Sequence, residues 1–510
     1  MLRARSRLRS SVRRAQELAA RTGVLARRHP HLAIVMAAGM AIRVLIEIAY
    51  RPALVFPDTI YYIHYATHPF RPGDIRTTLY SDLIAPAIPL HQLWLIPVIQ
   101  HLLGLATGVL GYAMLVRFGC RKWLAALAAL PLVMDPLQLI LEHYILSDTL
   151  SVTLMLAVLA ALTWQGRQLS RRAAVLTGLL LAASILARVQ TGIIVLPVAA
   201  YLLAVIRPRR LLLRRAAAMA VALVIPVVGW AFWFHLAYGP FGLSNYTGRW
   251  LYGRVAQFAD CTGLSLPAYE RSLCPTQPAS QRYQDFYMWD HHSPQWRYHP
   301  PPGMKTGTVA GEWALRIIAH QPVTYARVAG VDYIYGFAPV RGLRGPERYP
   351  ENYLHLTETF PVFNWKDTGI VLWTYGHTHA EVQAESARIL SWYDAAYLPG
   401  PLFGAFILIA LAAAAGIGPA RRSGMRPACL LLGLTAVLVT VPDEVLSTFD
   451  WRYQLPQLVF APLAGGVGVA AFIRRARTSE RPGAGEAEAA AAAGPAELAV
   501  PERDAVPVAD

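Results

Sequence analysis

RRAAVLTGLLLAASILARVQTGIIVLPVAAYLLAVIRPRR, residues 171–210, sets the fold class. The apolar run from Ala173 to Ile206 would measure roughly 50 Å as one helix, too long for a ~30 Å hydrocarbon core. It is interrupted at Arg188-Val189-Gln190-Thr191-Gly192. Basic clusters flank it: Arg167, Arg171 and Arg172 before, and Arg207, Arg209, Arg210, Arg214 and Arg215 after. Basic loops favour the cytoplasmic side. One span would put the two clusters on opposite faces, whereas two spans joined at Arg188 return both to the same side. The same logic divides residues 123–164 at Glu142-His143-Tyr144-Ile145-Leu146-Ser147-Asp148.

Composition agrees with this reading. Of 510 residues, 55% are hydrophobic and only 15% charged, against about a quarter charged in soluble chains. That excludes an ordinary soluble enzyme, a disordered chain and a disulfide scaffold. The net charge of +16 is distributed as clusters between apolar runs, so it reads as membrane topology and not as nucleic-acid binding. Apolar runs predict about ten transmembrane helices, near 31–50, 91–116, 123–141, 149–165, 173–187, 190–206, 216–236, 399–418, 428–446 and 454–473.

The resulting plan is an all-α polytopic membrane protein in five parts. Residues 1–29 form a basic cytoplasmic segment without the apolar region of a signal peptide. Residues 30–236 hold helices one to seven, with a first outer loop at 51–90 expected to form short interfacial helices. A mixed extracytoplasmic domain occupies 237–398, with a helix over Glu312 to Phe337 interrupted at Gln321-Pro322. Residues 399–475 supply the last three spans, and 476–510, rich in Ala, Gly, Pro and Glu, are expected to be a disordered cytoplasmic tail. An even number of spans leaves both termini cytoplasmic in a multi-pass cell-membrane protein. Cys261 and Cys274 both fall in the large outer segment, where a disulfide is one option and two buried thiols the other.

Polar residues collect at the outer helix ends: Asp58 after the first helix, Glu142, His143 and Asp148 between the third and fourth, Arg188 between the fifth and sixth, and Asp443, Glu444, Asp450, Arg452 and Tyr453 before the last. Asp58, beside aromatic residues just outside the bilayer, suits a general base for a sugar hydroxyl; it could equally cap the helix that follows Pro57. Glu142, His143 and Asp148 could hold a divalent cation beside a phosphate or orient an acceptor. Arg188 and Arg452 suit a phosphate through paired hydrogen bonds, or reach toward headgroups. Asp135-Pro136 reads as a structural kink. The aromatic stretch Tyr283 to His299 reads as an interfacial belt, with sugar stacking as the alternative.

This arrangement resembles the polyprenyl-phosphate-dependent GT-C glycosyltransferases, near the bacterial relatives of the protein O-mannosyltransferases. The resemblance rests on the first-loop acid, the large later outer segment, Arg452-Tyr453 followed by Pro456, the stretch Asp135 to Leu150, and Leu251-Tyr252-Gly253-Arg254-Val255 running into Asp260-Cys261. It resembles actinobacterial membrane proteins of that group over about 30–475. The resemblance implies Asp58 as the base, a polyprenyl-phosphate-linked sugar as donor, and a glycan, lipid or protein acceptor. It implies inversion at the anomeric carbon. Where the family often has two adjacent acids, Asp58 is followed by Thr59, so the metal question stays open, with a divalent cation one option. A lipid-linked sugar transporter or flippase and a non-catalytic envelope-assembly protein are the alternatives; a transporter predicts polar groups near the bilayer midplane.

Overall fold

The computed structural model describes residues 23–69, 71–166, 168–342 and 353–473. The basic residues from Arg3 to Arg21 and the tail from 476 lie outside them.

Most described residues are helical. Helix α1 (Pro30–Ala49) runs into a two-residue strand, β1 (Tyr50–Arg51). The first loop then carries α2 (Pro57–Ala66) and shorter turns. Next come α3 (Leu95–Phe118), α4 (Lys122–Met134), α5 (Pro136–His143) and α6 (Asp148–Thr163). The break between α4 and α5 bends the axis by 44°. Pro136 cannot donate a backbone hydrogen bond to the turn before it. Asp135 caps α5 by accepting from the Leu137 amide at 2.9 Å, and it also accepts from the Leu398 amide and Arg341. Its buried carboxylate is therefore fully used in joining segments.

Residues 171–210 form α7 (Arg171–Ala187) and α8 (Val195–Val205). Arg188 between them is extended, at φ −158° and ψ 115°, and a 3-10 turn from Val189 to Ile194 follows. The long α9 (Arg209–Tyr238) packs along α7. Helices α15 (Gly400–Ala415), α16 (Arg426–Leu438), α17 (Val441–Leu446) and α18 (Leu455–Ile473) close the apolar core. Helix α18 is its centre, contacting α15, α16 and α4.

Five helical segments are long and apolar enough to cross a membrane: Pro30–Ala49, Leu95–Phe118, Arg209–Tyr238, Arg426–Leu446 and Trp451–Ile473. The bent α4–α5 pair makes a sixth. This is fewer than the ten expected. The reason is the breaks themselves: they leave α6 at 16 residues, α7 at 17, α8 at 11 and α15 at 16, short of the ~20 needed for a straight crossing.

The segment 237–398 differs from the mixed domain expected. Its described residues are helices and irregular chain with a single two-residue strand, β2 (Glu381–Val382), paired antiparallel with β1. It also divides in two. Helices α10 (Thr247–Ala256) and α11 (Thr306–His320) build their own apolar cluster around Tyr252, Tyr287 and Trp313. Helix α12 (Pro322–Tyr335) begins after His320 and Gln321, where Pro322 occupies the first helical position. The later part, with α13 (Trp365–Gly376) and α14 (Ala384–Tyr393), joins the main core through Leu356, Phe360, Leu372 and Leu390. A disulfide links Cys261 to Cys274 in the first part.

Candidate functional site: an arginine–aspartate cluster

The residues singled out at helix ends fall into two centres. The first is built around Arg452, which sits in a 3-10 turn just before α18. Its guanidinium grips Asp148 in a two-point bond, Nε to Oδ1 at 3.1 Å and Nη2 to Oδ2 at 2.8 Å. Its remaining nitrogen, Nη1, donates to Asp58 Oδ2 at 2.8 Å. Thus Asp58, Asp148 and Arg452, up to 394 positions apart, share one guanidinium. The Phe56 ring lies under it at 4.7 Å, a cation–π contact.

Local structure explains each placement. Asp58 is the second residue of α2, after Pro57. Thr59 there satisfies the Phe56 amide and donates to the Ile145 carbonyl, both at 3.0 Å. This fastens α2 to the turn before Asp148, so the Asp58 carboxylate is spared capping duty and turns toward Arg452. Asp148 opens α6, where a carboxylate is favoured by the helix dipole. Asp450 Oδ1 accepts from the Arg452 amide at 2.9 Å and from the Tyr353 hydroxyl at 2.6 Å, setting the conformation of the Arg452 turn.

Two further arginines complete the cluster. Arg76, from the first loop, donates to Asp58 Oδ1, and Arg188 donates to Asp148 Oδ1 and, at 3.4 Å, to Asp443. Arg188 also lies over the Tyr453 ring at 5.3 Å. Burial alone would raise the Asp58 carboxyl, but Arg76 and Arg452 outweigh it and hold it below the usual carboxylate range. Burial pushes the Asp450 carboxyl up. Arginine retains its charge under all ordinary conditions, so three fixed cations converge here. A phosphate would find paired donors in each of them.

Glu142 and His143 belong elsewhere. Glu142, on α5, is chelated by Arg43 of α1 through two 2.8 Å bonds and also accepts from Gln138 at 2.7 Å and His101 at 2.8 Å. Arg43 spends its other contacts on the Gly39 and Val133 carbonyls. His143 Nε2 donates to the Tyr50 carbonyl at 2.6 Å. Glu47, His101 and His143 bring three ligand-type atoms within 4.8 Å of one another. Glu142, His143 and Asp148 therefore do not form a joint cation site. A backbone bridge between Leu54 and Tyr144 fixes the extended link that separates them.

Sequence reasoning passed over Arg76, Asp450 as an anchor, and the whole set Arg43, Glu47 and His101. The last three carried a readable signal: ionisable residues inside apolar runs are costly and seldom idle.

No family model and no curated protein matches the chain. Among solved structures, the chain aligns with the oligosaccharyltransferase of Archaeoglobus fulgidus in the apo form, at 12% identity and TM-score 0.41, over 85% of this chain and 50% of that one. It aligns with ArnT from Cupriavidus metallidurans bound to undecaprenyl phosphate at 16% identity and TM-score 0.34, over 86% of this chain and 77% of that one. The chain spans about half the length of the oligosaccharyltransferase.

Proposed function

We propose that this chain is a membrane glycosyltransferase that moves a sugar from a polyprenyl-phosphate donor to a hydroxyl acceptor at the outer face of the cell membrane. The observation that carries the reading is the cluster in which Arg452 joins Asp58 to Asp148, with Arg76 and Arg188 alongside. Its residues sit at helix ends and in the first loop, where a lipid-linked phosphate and a water-soluble acceptor would meet.

The chemistry follows from competition for guanidinium groups. In the resting cluster the aspartates neutralise the arginines. A donor phosphate would take over part of the contacts of Arg452, Arg188 or Arg76. Loss of its contact to Arg76 or Arg452 raises the proton affinity of Asp58, because those two arginines are what hold it low. Asp58 then accepts the proton of the acceptor hydroxyl as its oxygen attacks the anomeric carbon. The bond to the phosphate oxygen breaks with its electron pair, and the arginines stabilise the departing lipid phosphate. One displacement inverts the anomeric centre.

In this reading the ten apolar segments all belong to the membrane region, the short ones as tilted or partial crossings, and both termini are cytoplasmic. Kinship with the protein O-mannosyltransferase group and a hexosyl or pentosyl donor belong to the same proposal, as does a glycan, lipid or protein acceptor. The test uses membranes carrying the full chain and a panel of polyprenyl-phosphate sugars. Wild type is expected to consume one of them with release of polyprenyl phosphate. Full turnover by Asp58→Asn at normal protein levels would remove Asp58 as the base.

A lipid-linked sugar flippase is the second reading. The observation in its favour is Arg43 paired with Glu142, about 9 Å inside the end of α1 at 1.5 Å per residue. That predicts donor movement across vesicles without release of lipid phosphate, and without loss on Asp58→Asn.

A further inference from the structure

We propose that Glu47, His101 and His143 form a metal site for Zn²⁺, separate from the Asp58–Arg452 cluster. Glu47 comes from α1, His101 from α3 and His143 from the end of α5. Their facing atoms are His101 Nε2, His143 Nδ1 and Glu47 Oε1. The separations are 3.4 Å between the two nitrogens, 3.6 Å from Glu47 to His101 and 3.9 Å from Glu47 to His143. The nearest point equidistant from all three lies in their plane about 2.1 Å from each, the bond length zinc takes to imidazole nitrogen and carboxylate oxygen.

Hydrogen bonding fixes which nitrogens are free. A carbonyl oxygen only accepts, so His143 carries its proton on Nε2, where it meets the Tyr50 carbonyl. The Glu142 carboxylate, already held by Arg43, accepts from His101 Nδ1. Each neutral ring therefore turns its lone pair inward, toward the other lone pair and toward a carboxylate oxygen. Glu47 Oε1 is buried without a hydrogen-bond partner. Three electron-rich atoms facing one point are the donor set a cation would satisfy. The outer partners, one carboxylate and one backbone carbonyl, are those that orient metal-binding histidines elsewhere.

Two nitrogens and one oxygen leave room for a fourth ligand off their common plane. Glu47 and His101 also line a groove of about 570 Å³, walled by Met40, Val44, Ile48, Val98 and Leu102 and carrying Arg43, Arg51 and Glu381, so the site borders open space. Water is the simplest fourth ligand.

The test needs no transfer assay, so it stands apart from the reaction proposed above. The full chain, purified in detergent on a non-histidine tag, is loaded with zinc, desalted and analysed for metal. One zinc per chain is expected in wild type and in Asp58→Asn. Glu47→Gln, His101→Gln and His143→Gln are each expected to bind at least tenfold more weakly. Chelation should lower the melting temperature of wild type, and zinc should restore it; Glu47→Gln should melt like the chelated wild type and ignore zinc, which also shows that it folds. Cobalt loading should give the intense visible bands of a four-coordinate ion. Wild type with less than a tenth of an equivalent of metal and no zinc-dependent shift in melting would overturn the proposal. So would full metal retention in Glu47→Gln, or a melting temperature governed by pH alone, the behaviour of a proton shared between the two rings.

Discussion

The Asp58–Arg452 cluster and the Arg43–Glu142 centre are made of the same groups, yet they are built for opposite ends. In the first, the outer members keep some contact with solvent: the side chains of Arg76, Arg188 and Asp58 are 23%, 15% and 12% exposed. Asp58 and Asp148 each have two arginines to choose from. In the second, Arg43 and Glu142 are 2% and 0% exposed, and every Glu142 oxygen is bonded. A buried ion pair gains little over an apolar pair of equal shape, but losing one partner strands the other charge. The partly open centre can exchange a partner for a ligand; the Arg43–Glu142 pair is spent on holding helices α1, α3 and α5 together. The proposed transfer chemistry is placed in the first, and positional fidelity, with the proposed zinc, in the second.

That contrast can be broken by experiment. The largest effect is expected from Asp58→Asn, which should cut transfer by roughly 10²–10⁴-fold with only a modest fall in melting temperature, as Arg76 and Arg452 each lose a charged partner. Arg452→Ala should cost about 10²–10³-fold in turnover, with some loss of stability because Asp148 is left buried. Arg43→Met should do the reverse, destabilising by about 3–5 kcal/mol as read by detergent thermal unfolding. Equal loss of activity and stability in all three would erase the distinction. Gly104 sharpens it: a Cβ there would collide with the Glu142 carboxylate, so Gly104→Ala should lower stability by roughly 1–3 kcal/mol and spare the intrinsic chemistry.

The smallest effect concerns pH. Asp58 titrates below its ordinary value in the folded chain. It therefore contributes stability that is present above the unfolded value near 3.8 and is lost as pH falls through the lowered folded value. The acid limb of the melting profile should be shallower in Asp58→Asn than in wild type. Identical acid limbs would mean that the Arg76 and Arg452 contacts to Asp58 do not persist in solution.

Much of the first centre was legible because its members stand at helix ends, where apolar periodicity stops and a charged residue is conspicuous. Asp58, Asp148, Arg188 and Arg452 were visible in this way. Arg76 was not, because nothing about a loop arginine distinguishes one facing the cluster from one facing water. Glu142 and His143 misled by their closeness to Asp148. Six residues of separation say nothing of direction once the helix ends and the chain runs extended through Tyr144, held to Leu54 by backbone bonds in both directions. Five or six of the ten expected spans are long enough by themselves: hydropathy records how apolar a segment is, while helix length depends on where the breaks fall.

The sequence by itself determined the class of molecule, a helical chain for a membrane, since that follows from composition, the spacing of apolar runs and the residues that interrupt them. It also determined which charges stand at the breaks, because a proline or an arginine ends a helix or leaves the apolar phase through its own local chemistry. Only the tertiary structure decided which charge meets which. Arg452 and Asp58 are almost the whole chain apart, and His101 faces His143 only because α3 and α5 pack together. Pairing of that kind is fixed by the packing of distant helices, and no local property of either residue encodes it.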